Sequence, residues 1–516
     1  MDLLIAATTS QIGIWTIVFV VLAVGLALSF EFVNGFHDTA NAVATVIYTN
    51  TLKATPAVVW SGIWNLIGVL SSSGAVAFGI VALLPVELVI NIGSTAGFAM
   101  VFALLLSAIT WNVGTWYFGL PASSSHTLIG SIMGVGLANS IMQGGIYSFG
   151  AGVNWAKAKE VGMALLISPI VGFVCAALLL LVAKVLIKNE ALYKSPEGKT
   201  PPPLWIRGLL MLTCTGVSFA HGSNDGQKGM GLIVLILVGI LPGMYALNMS
   251  ASPDKVASIR QSAEQLGVVF ENQAAGAHED TEKESTETIS AYLKNDGRVS
   301  NELYAALAQK SRDIVTGLSG VNSFDDLPEE TRRTMRTNFY LISSGIKKLS
   351  KTGALTDPTV KKQEEQFGKD VEEITNYIPV WVKYAVAIAL GLGTMIGYKR
   401  IVVTIAEKIG KTHLTYAQGA SAEIVAAATI MVADSFHLPV STTHVLSSGI
   451  AGTMYANRSG LQLGTLKKIG LAWVLTLPVA ILLAGVMFIV GVFVVPGAGE
   501  TNPAAERNST VMTISP

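Results

Sequence analysis

The chain has 516 residues, of which 51% are hydrophobic and only 13% charged, and its mean hydropathy is +0.54. Soluble domains carry about 25% charged residues, so a string of ordinary soluble domains is excluded. The 34 basic and 34 acidic residues cancel, leaving no positive excess for nucleic acid, and the two cysteines, Cys175 and Cys214, lie in apolar stretches, which excludes a disulfide framework or a cysteine metal site.

The charges are unevenly placed. Residues 249–378 hold 21 Asp/Glu and 16 Lys/Arg, more than half of all the charges in the chain. This divides the chain into a lipid-embedded body and one soluble insert. In chain order, Met1–Ser10 has no basic stretch and the apolar run continues past Val20, so no cleavable signal is expected. Apolar runs at 12–33, 57–83, 98–118, 127–143 and 161–183 form a first membrane section over 1–183. Several approach the roughly 20 residues that cross a hydrocarbon core of about 30 Å. A basic linker, 184–207, follows. Runs at 208–220 and 229–248 open a second section, 208–248, which the insert 249–378 interrupts. Within the insert, Val360–Ile378 spaces apolar residues among Lys/Glu pairs at helical intervals, which predicts a helical cap or spacer without a readable motif. Runs at 379–398, 416–433, 445–456 and 469–495 complete the second section over 379–495, and 496–516 reads as a flexible tail. The expected fold is an all-α integral membrane protein with about 10–12 transmembrane helices, some broken or re-entrant.

Lysine and arginine in the short loops set the orientation. Lys53, the linker's Lys184, Lys188, Lys194, Lys199 and Arg207, then Lys399, Arg400, Lys408 and Lys411, and finally Arg458, Lys467 and Lys468 are assigned to the inside. Both termini, loops 84–97 and 144–160, and the insert then fall outside. Lys157, Lys159 and Arg507 stand against this threading.

Two polar islands occur twice. Gly35-Phe-His-Asp38-Thr-Ala-Asn41-Ala42 is matched by Gly222-Ser-Asn-Asp225-Gly-Gln-Lys228-Gly229. Leu120-Pro-Ala-Ser-Ser-Ser-His126-Thr-Leu128 is matched by Leu438-Pro-Val-Ser-Thr-Thr-His444-Val-Leu446. With the first half starting outside and the second inside, the two halves form an inverted repeat, the ground plan of secondary transporters.

An ionised carboxylate at membrane depth is costly unless it faces a cavity and binds something. Asp38 and Asp225 meet that description; the plainer alternative is an Asp at a helix end in the interface. Their flanking glycines are expected to let the backbone unwind and offer carbonyls to Na⁺ or a divalent metal. The Pro-x-Ser-Ser-Ser-His and Pro-x-Ser-Thr-Thr-His turns break one helix and start another, aiming free N–H groups and hydroxyls into the break. Two such turns, related by the repeat, suit one oxyanion; a single turn would be satisfied by plain capping. No arginine lies in a predicted span, so the anion needs Lys228, helix dipoles or a cation entering with it. Anion–cation cotransport follows. His37, His126, His221, His444, Glu31, Glu423 and Asp434 are further intramembrane candidates, with His437 and Asp434 assigned to the interface and Trp60, Trp64, Trp111, Trp116 and Trp473 to packing or the aromatic belt.

At these islands the sequence resembles the inorganic phosphate transporter family, and most of all its bacterial low-affinity branch. The resemblance rests on Asn34–Thr45, Gly119–His126, His221–Gly229 and Leu438–His444, in that order, and covers both membrane halves. It implies a symporter rather than an enzyme, a homodimer in the bacterial inner membrane, and inorganic phosphate as the substrate. Residue by residue, it implies Asp38, Asn41, Asn224 and Asp225 in the cation layer, and Ser123, Ser124, Ser125, Ser441, Thr442 and Thr443 around phosphate. His37 and Lys228 stand where the sodium-type pattern has Asn. That departure favours protons as the co-ion, with phosphate carried as a neutral complex with a divalent metal such as Mg²⁺ and no resident cofactor. The alternatives are sodium-coupled phosphate or sulfate symport and, from another class, an intramembrane hydrolase using Ser with His126 or His444.

Overall fold

Long apolar runs with their backbone bonds closed internally give helices, and a computed structural model describes them over residues 14–38, 40–81, 95–145, 149–150, 153–196, 198, 200–277, 281–294, 299–354 and 357–494. The side chain of Asn41, the loop 84–97 up to residue 94, Lys157, Lys199 and the tail lie outside the described residues. The first membrane section forms α1 (Ile14–Asp38), α2 (Ala40–Tyr48), α3 (Ala54–Ser71), α4 (Ala75–Val81), α5 (Thr95–Tyr117), α6 (Ser124–Gly144) and α7 (Trp155–Leu186). The second opens with α8 (Leu204–Ile240). The insert then folds as α9 (Pro253–Ala274), α10 (Glu282–Lys294), α11 (Asn301–Gly317), α12 (Glu329–Lys351) and α13 (Pro358–Thr375). The chain resumes as α14 (Val380–Gly397), α15 (Lys399–Glu407), α16 (Tyr416–Ser435), α17 (Thr442–Ala456) and α18 (Leu463–Val494).

Among the described residues no strand forms, and seven helical stretches are long and apolar enough to cross a membrane. Helices α6, α8 and α17, which carry polar islands, fall outside that group; α17, at 15 residues, is also too short. Helices α7 and α18 each expose one apolar flank, including Leu166, Ile170, Val474 and Leu482, suited to lipid.

The membrane unit is built by exchange between its halves. Helix α6 packs on α18 and α17 on α7, while α1 packs on α14. Glycines set these approaches in matched pairs. A Cβ on Gly134 of α6 would collide with the Ile481 carbonyl of α18, and one on Gly452 of α17 with the Phe173 carbonyl of α7. A Cβ on Gly35 would strike the Leu390 carbonyl of α14, and one on Gly222 the Asn65 carbonyl of α3. Close backbone approach through small residues is how helices associate where lipid removes the hydrophobic drive. The α6–α18 contact thus has its counterpart in α17–α7, and the Gly35 approach has its counterpart in that of Gly222, with the halves exchanged.

Two expectations are corrected. The apolar runs 208–220 and 229–248 do not frame an unwound segment at Asp225: α8 is continuous from Leu204 to Ile240. The flanking glycines serve packing instead, Gly222 on Asn65 and Gly226 on Val69. In the first island α1 is helical up to Asp38 and α2 starts at Ala40, with Thr39 outside the described residues. Polar side chains that find partners on neighbouring helices leave the backbone free to stay helical.

The second unit, residues 234–379, has its own core of Phe270, Phe324, Phe339, Phe367, Leu266 and Leu307, all fully buried. Its ends are tied together: the Asn248 N–H donates to the Ile374 carbonyl at 2.9 Å, and Arg336 donates to the carbonyls of Ala246 and Thr375. Ser252 and Ser300 cap α9 and α11.

Candidate functional site

Pro121 and Pro439 lie just past the ends of α5 and α16, and a serine two residues later caps each new helix. Ser123 Oγ accepts from the His126 N–H and Ser441 Oγ from the His444 N–H, each at 3.2 Å. Those two serines are N-caps. The second and third hydroxyls of each turn remain for the site: Ser124 and Ser125, Thr442 and Thr443, all buried.

The turns meet each other and the islands. Ser125 Oγ donates to the Val440 carbonyl of the opposite turn at 2.8 Å. Ser124 donates to one oxygen of Asp38 and Thr443 to the other, so a single carboxylate joins turns more than 300 residues apart in sequence. Asp38 is 3% exposed, with His37 Nδ1 3.6 Å from its Oδ1. His37 Nε2 lies 3.1 Å from Thr115 Oγ1; because that hydroxyl donates to the Trp111 carbonyl at 2.9 Å, the ring nitrogen is the donor.

The second island approaches the same point along α8. Lys228, fully buried, donates to Ser125 Oγ at 2.5 Å and lies 2.7 Å from Asp225 Oδ1. His221 Nε2 lies 3.4 Å from Asp225 Oδ2, and its Nδ1 donates to Asn65 Oδ1 at 2.7 Å. Asn224 donates to the Leu438 carbonyl at 3.2 Å, fixing α8 against the second turn. Asp38, His221 and Asp225 each bring one ligand atom within 4.8 Å of the others, a buried donor set suited to a cation. Thr442 Oγ1 is buried without a hydrogen-bond partner.

His126 and His444 face each other with ring centroids 4.7 Å apart, and His444 stacks on Trp473 at 4.0 Å. Among the described residues neither ring pairs with a serine hydroxyl, so a Ser–His nucleophile is not assembled. Glu423 is elsewhere. It is buried on α16 and accepts from Thr213 of α8, twelve residues or about 18 Å along the helix from Asp225. Asp434 is half-buried near the end of α16 and accepts from Ser223 and Gln227, while His437 is exposed. Trp60, Trp111, Trp116 and Trp473 all donate across helix contacts, as packing residues do.

Sequence reasoning missed Asn65 and Thr115. Each is one small polar residue in an apolar run, and only the tertiary fold sets it against His221 or His37. The sole signal was polarity within a predicted span.

Known proteins resemble the chain over most of this length. The phosphate transporter family matches residues 34–484. The chain is 42% identical over 490 residues to the low-affinity inorganic phosphate transporter PitA of Escherichia coli strain K12, covering 90% of this chain and 95% of that protein. It is 39% identical over 494 residues to a low-affinity inorganic phosphate transporter of Buchnera aphidicola subsp. Acyrthosiphon pisum, covering 92% and 97%. A solved structure, the sodium-dependent phosphate transporter, shares the fold at a TM-score of 0.50 and 18% identity, over 92% of this chain and 98% of that one.

Proposed function

This chain belongs to the phosphate transporter family, and from that premise we propose that it takes up inorganic phosphate at low affinity by symport with protons, the phosphate travelling as a neutral complex with a divalent metal. It is a membrane-embedded transporter, not an enzyme. Relatives that align nearly end to end with the chain are low-affinity inorganic phosphate transporters, which supports this reading.

The observation that carries the coupling is Asp38 holding one hydroxyl from each turn. Phosphate can take Ser124 and Thr443 only if Asp38 gives them up. It must also sit beside two buried aspartates. At an effective dielectric of about 20 and roughly 5 Å, each like-charge pair costs about 3 kcal/mol. Lys228 offsets one such charge. The remainder needs cations that enter with the anion: protons, a divalent metal, or both. Lys228 also favours protons over sodium: it sets an ammonium 2.7 Å from Asp225 Oδ1 where the sodium-type pattern has a neutral Asn, and leaves Asp225 Oδ2, beside His221, for the metal of the complex. Phosphate is favoured over sulfate because hydrogen phosphate can donate to Asp38 and sulfate cannot.

In this reading Ser124, Ser125, Thr442 and Thr443 hold phosphate. Asp38, His221 and Asp225 hold the metal of the complex, and His37 and Lys228 tune their charge. Ser123 and Ser441 support phosphate indirectly, as the caps that aim the two helices. The protein works as a homodimer in a bacterial inner membrane, with both termini and the insert outside. Radiolabelled phosphate uptake into proteoliposomes, with Mg²⁺ present or chelated and sulfate as competitor, tests the substrate. Uptake falls on chelation and resists sulfate; uptake indifferent to chelation, or blocked equally by sulfate, refutes the metal–phosphate assignment.

A further inference from the structure

One buried carboxylate near the site has no part in the account above. Glu31 stands on α1, two turns before Asp38, and is fully buried. Its Oε2 accepts a long bond, 3.3 Å, from the Asn34 amide, and its Oε1 has no hydrogen-bond partner. The fold makes room for it: a Cβ on Gly229, the residue after Lys228, would collide with the Glu31 side chain. The charged groups facing Glu31 are Asp225 and Lys228 of α8. Among the described residues, α5 and α14, the helices most closely packed on α1, bring it none.

Lys228 thus pairs directly with Asp225, and its charge also reaches Glu31. Lys228 is in direct contact with Asp225 and with Ser125 of the phosphate turn, whereas Glu31 has one long amide bond and no ammonium in contact. With both carboxylates ionised, this fully buried trio carries one excess negative charge. A single proton removes it, and the bare Oε1 of Glu31 is the atom free to take that proton. We propose that Glu31 carries the proton that crosses with phosphate, acting on the substrate through Lys228. This rests on the proton-coupled reading above. When Oε1 is protonated, the whole charge of Lys228 serves Asp225 and the phosphate at Ser125. When the proton leaves to the inside, Glu31 draws on the same ammonium and phosphate binding weakens. Proton and phosphate thus favour each other's binding reciprocally.

The test uses the full chain in proteoliposomes and two readouts: accumulation of radiolabelled phosphate driven by an inward proton gradient, and phosphate–phosphate exchange without a gradient, followed across pH. Glu31→Gln should lose accumulation by about tenfold or more. It should keep exchange, and that exchange should no longer vary with pH. Glu31→Asp should restore part of the accumulation. The proposal is overturned if Glu31→Gln still accumulates phosphate with an unchanged pH profile. It is equally overturned if both variants lose exchange along with accumulation, since Glu31 would then be part of the binding cage or the packing. A wild-type protein that ignores the proton gradient would instead bring down the proton-coupled reading, and this inference with it.

Discussion

Asp38 in the membrane unit and Asp370 in the insert are both buried carboxylates, and they are held by different means. Asp370 is satisfied by neighbours on α9 and α13: Lys255 at 2.9 Å, Ser258 at 2.7 Å and Gln366 at 2.9 Å. Burial alone would raise its carboxyl, but these bonds outweigh burial and hold it below the usual carboxylate range. Asp38 receives two hydroxyls from opposite ends of the chain and, among the described residues, has no lysine or arginine at ion-pair distance. Asp370, neutralised and fully bonded within the insert's own helices, is structural. One given neutral donors but no resident cation is built to meet a cation that comes and goes.

The sharpest way to break this contrast is to neutralise each carboxylate. Asp38→Asn or Asp225→Asn should drop phosphate uptake to background while membrane insertion is kept, and Asp370→Asn should leave uptake near wild type. Near-normal uptake by Asp38→Asn would remove it from the site.

The hydroxyls come next in size. Ser124→Ala combined with Thr442→Ala should weaken phosphate affinity by at least about tenfold, since a hydrogen bond to a charged group is worth roughly 1.5–3 kcal/mol. An unchanged half-saturation concentration would reduce the turns to helix caps.

Much of this site was legible because the repeat doubled its signal. Asp38 and Asp225 stand out as acids in apolar sequence, and two copies of Pro-x-Ser-x-x-His mark the turns. What was not legible depended on tertiary contact. Ser123 and Ser124 are the same residue type side by side, yet one caps a helix and the other reaches Asp38. The glycines around Asp225 looked like points of unwinding but proved to be points of helix contact, because sequence does not reveal whether a missing side chain frees the backbone or admits a neighbour. Thr115 and Asn65 carry no motif, so only the packing of α5 and α3 identifies them.

That distinction between glycines can be tested in both units. Gly222→Ala in α8 should drive a Cβ into the Asn65 backbone, at a cost of about 1–3 kcal/mol, lowering the melting temperature in detergent and reducing uptake. Gly368→Ala in α13 meets open space and should be neutral or stabilise by up to about 1 kcal/mol, as alanine does in a helix. Equal effects would show that Gly222 is not a contact glycine.

The smallest effect belongs to the insert. Because the folded Asp370 carboxyl is held below its unfolded range, its contribution to stability is present at neutral pH and is lost as pH falls through the folded value, below the ordinary carboxylate value of about 3.9. Hydrogen exchange of α9 and α13 amides should show that acid loss in the wild type. In Asp370→Asn, protection should already be reduced at neutral pH and insensitive to this titration.

The central claim is that phosphate crosses with protons rather than sodium. Radiolabelled phosphate uptake into proteoliposomes, with proton and sodium gradients imposed separately, tests it most directly. The account predicts uptake in sodium-free buffer that follows an inward proton gradient and rises with Mg²⁺. Uptake that is absent there and returns only with an inward sodium gradient would contradict it.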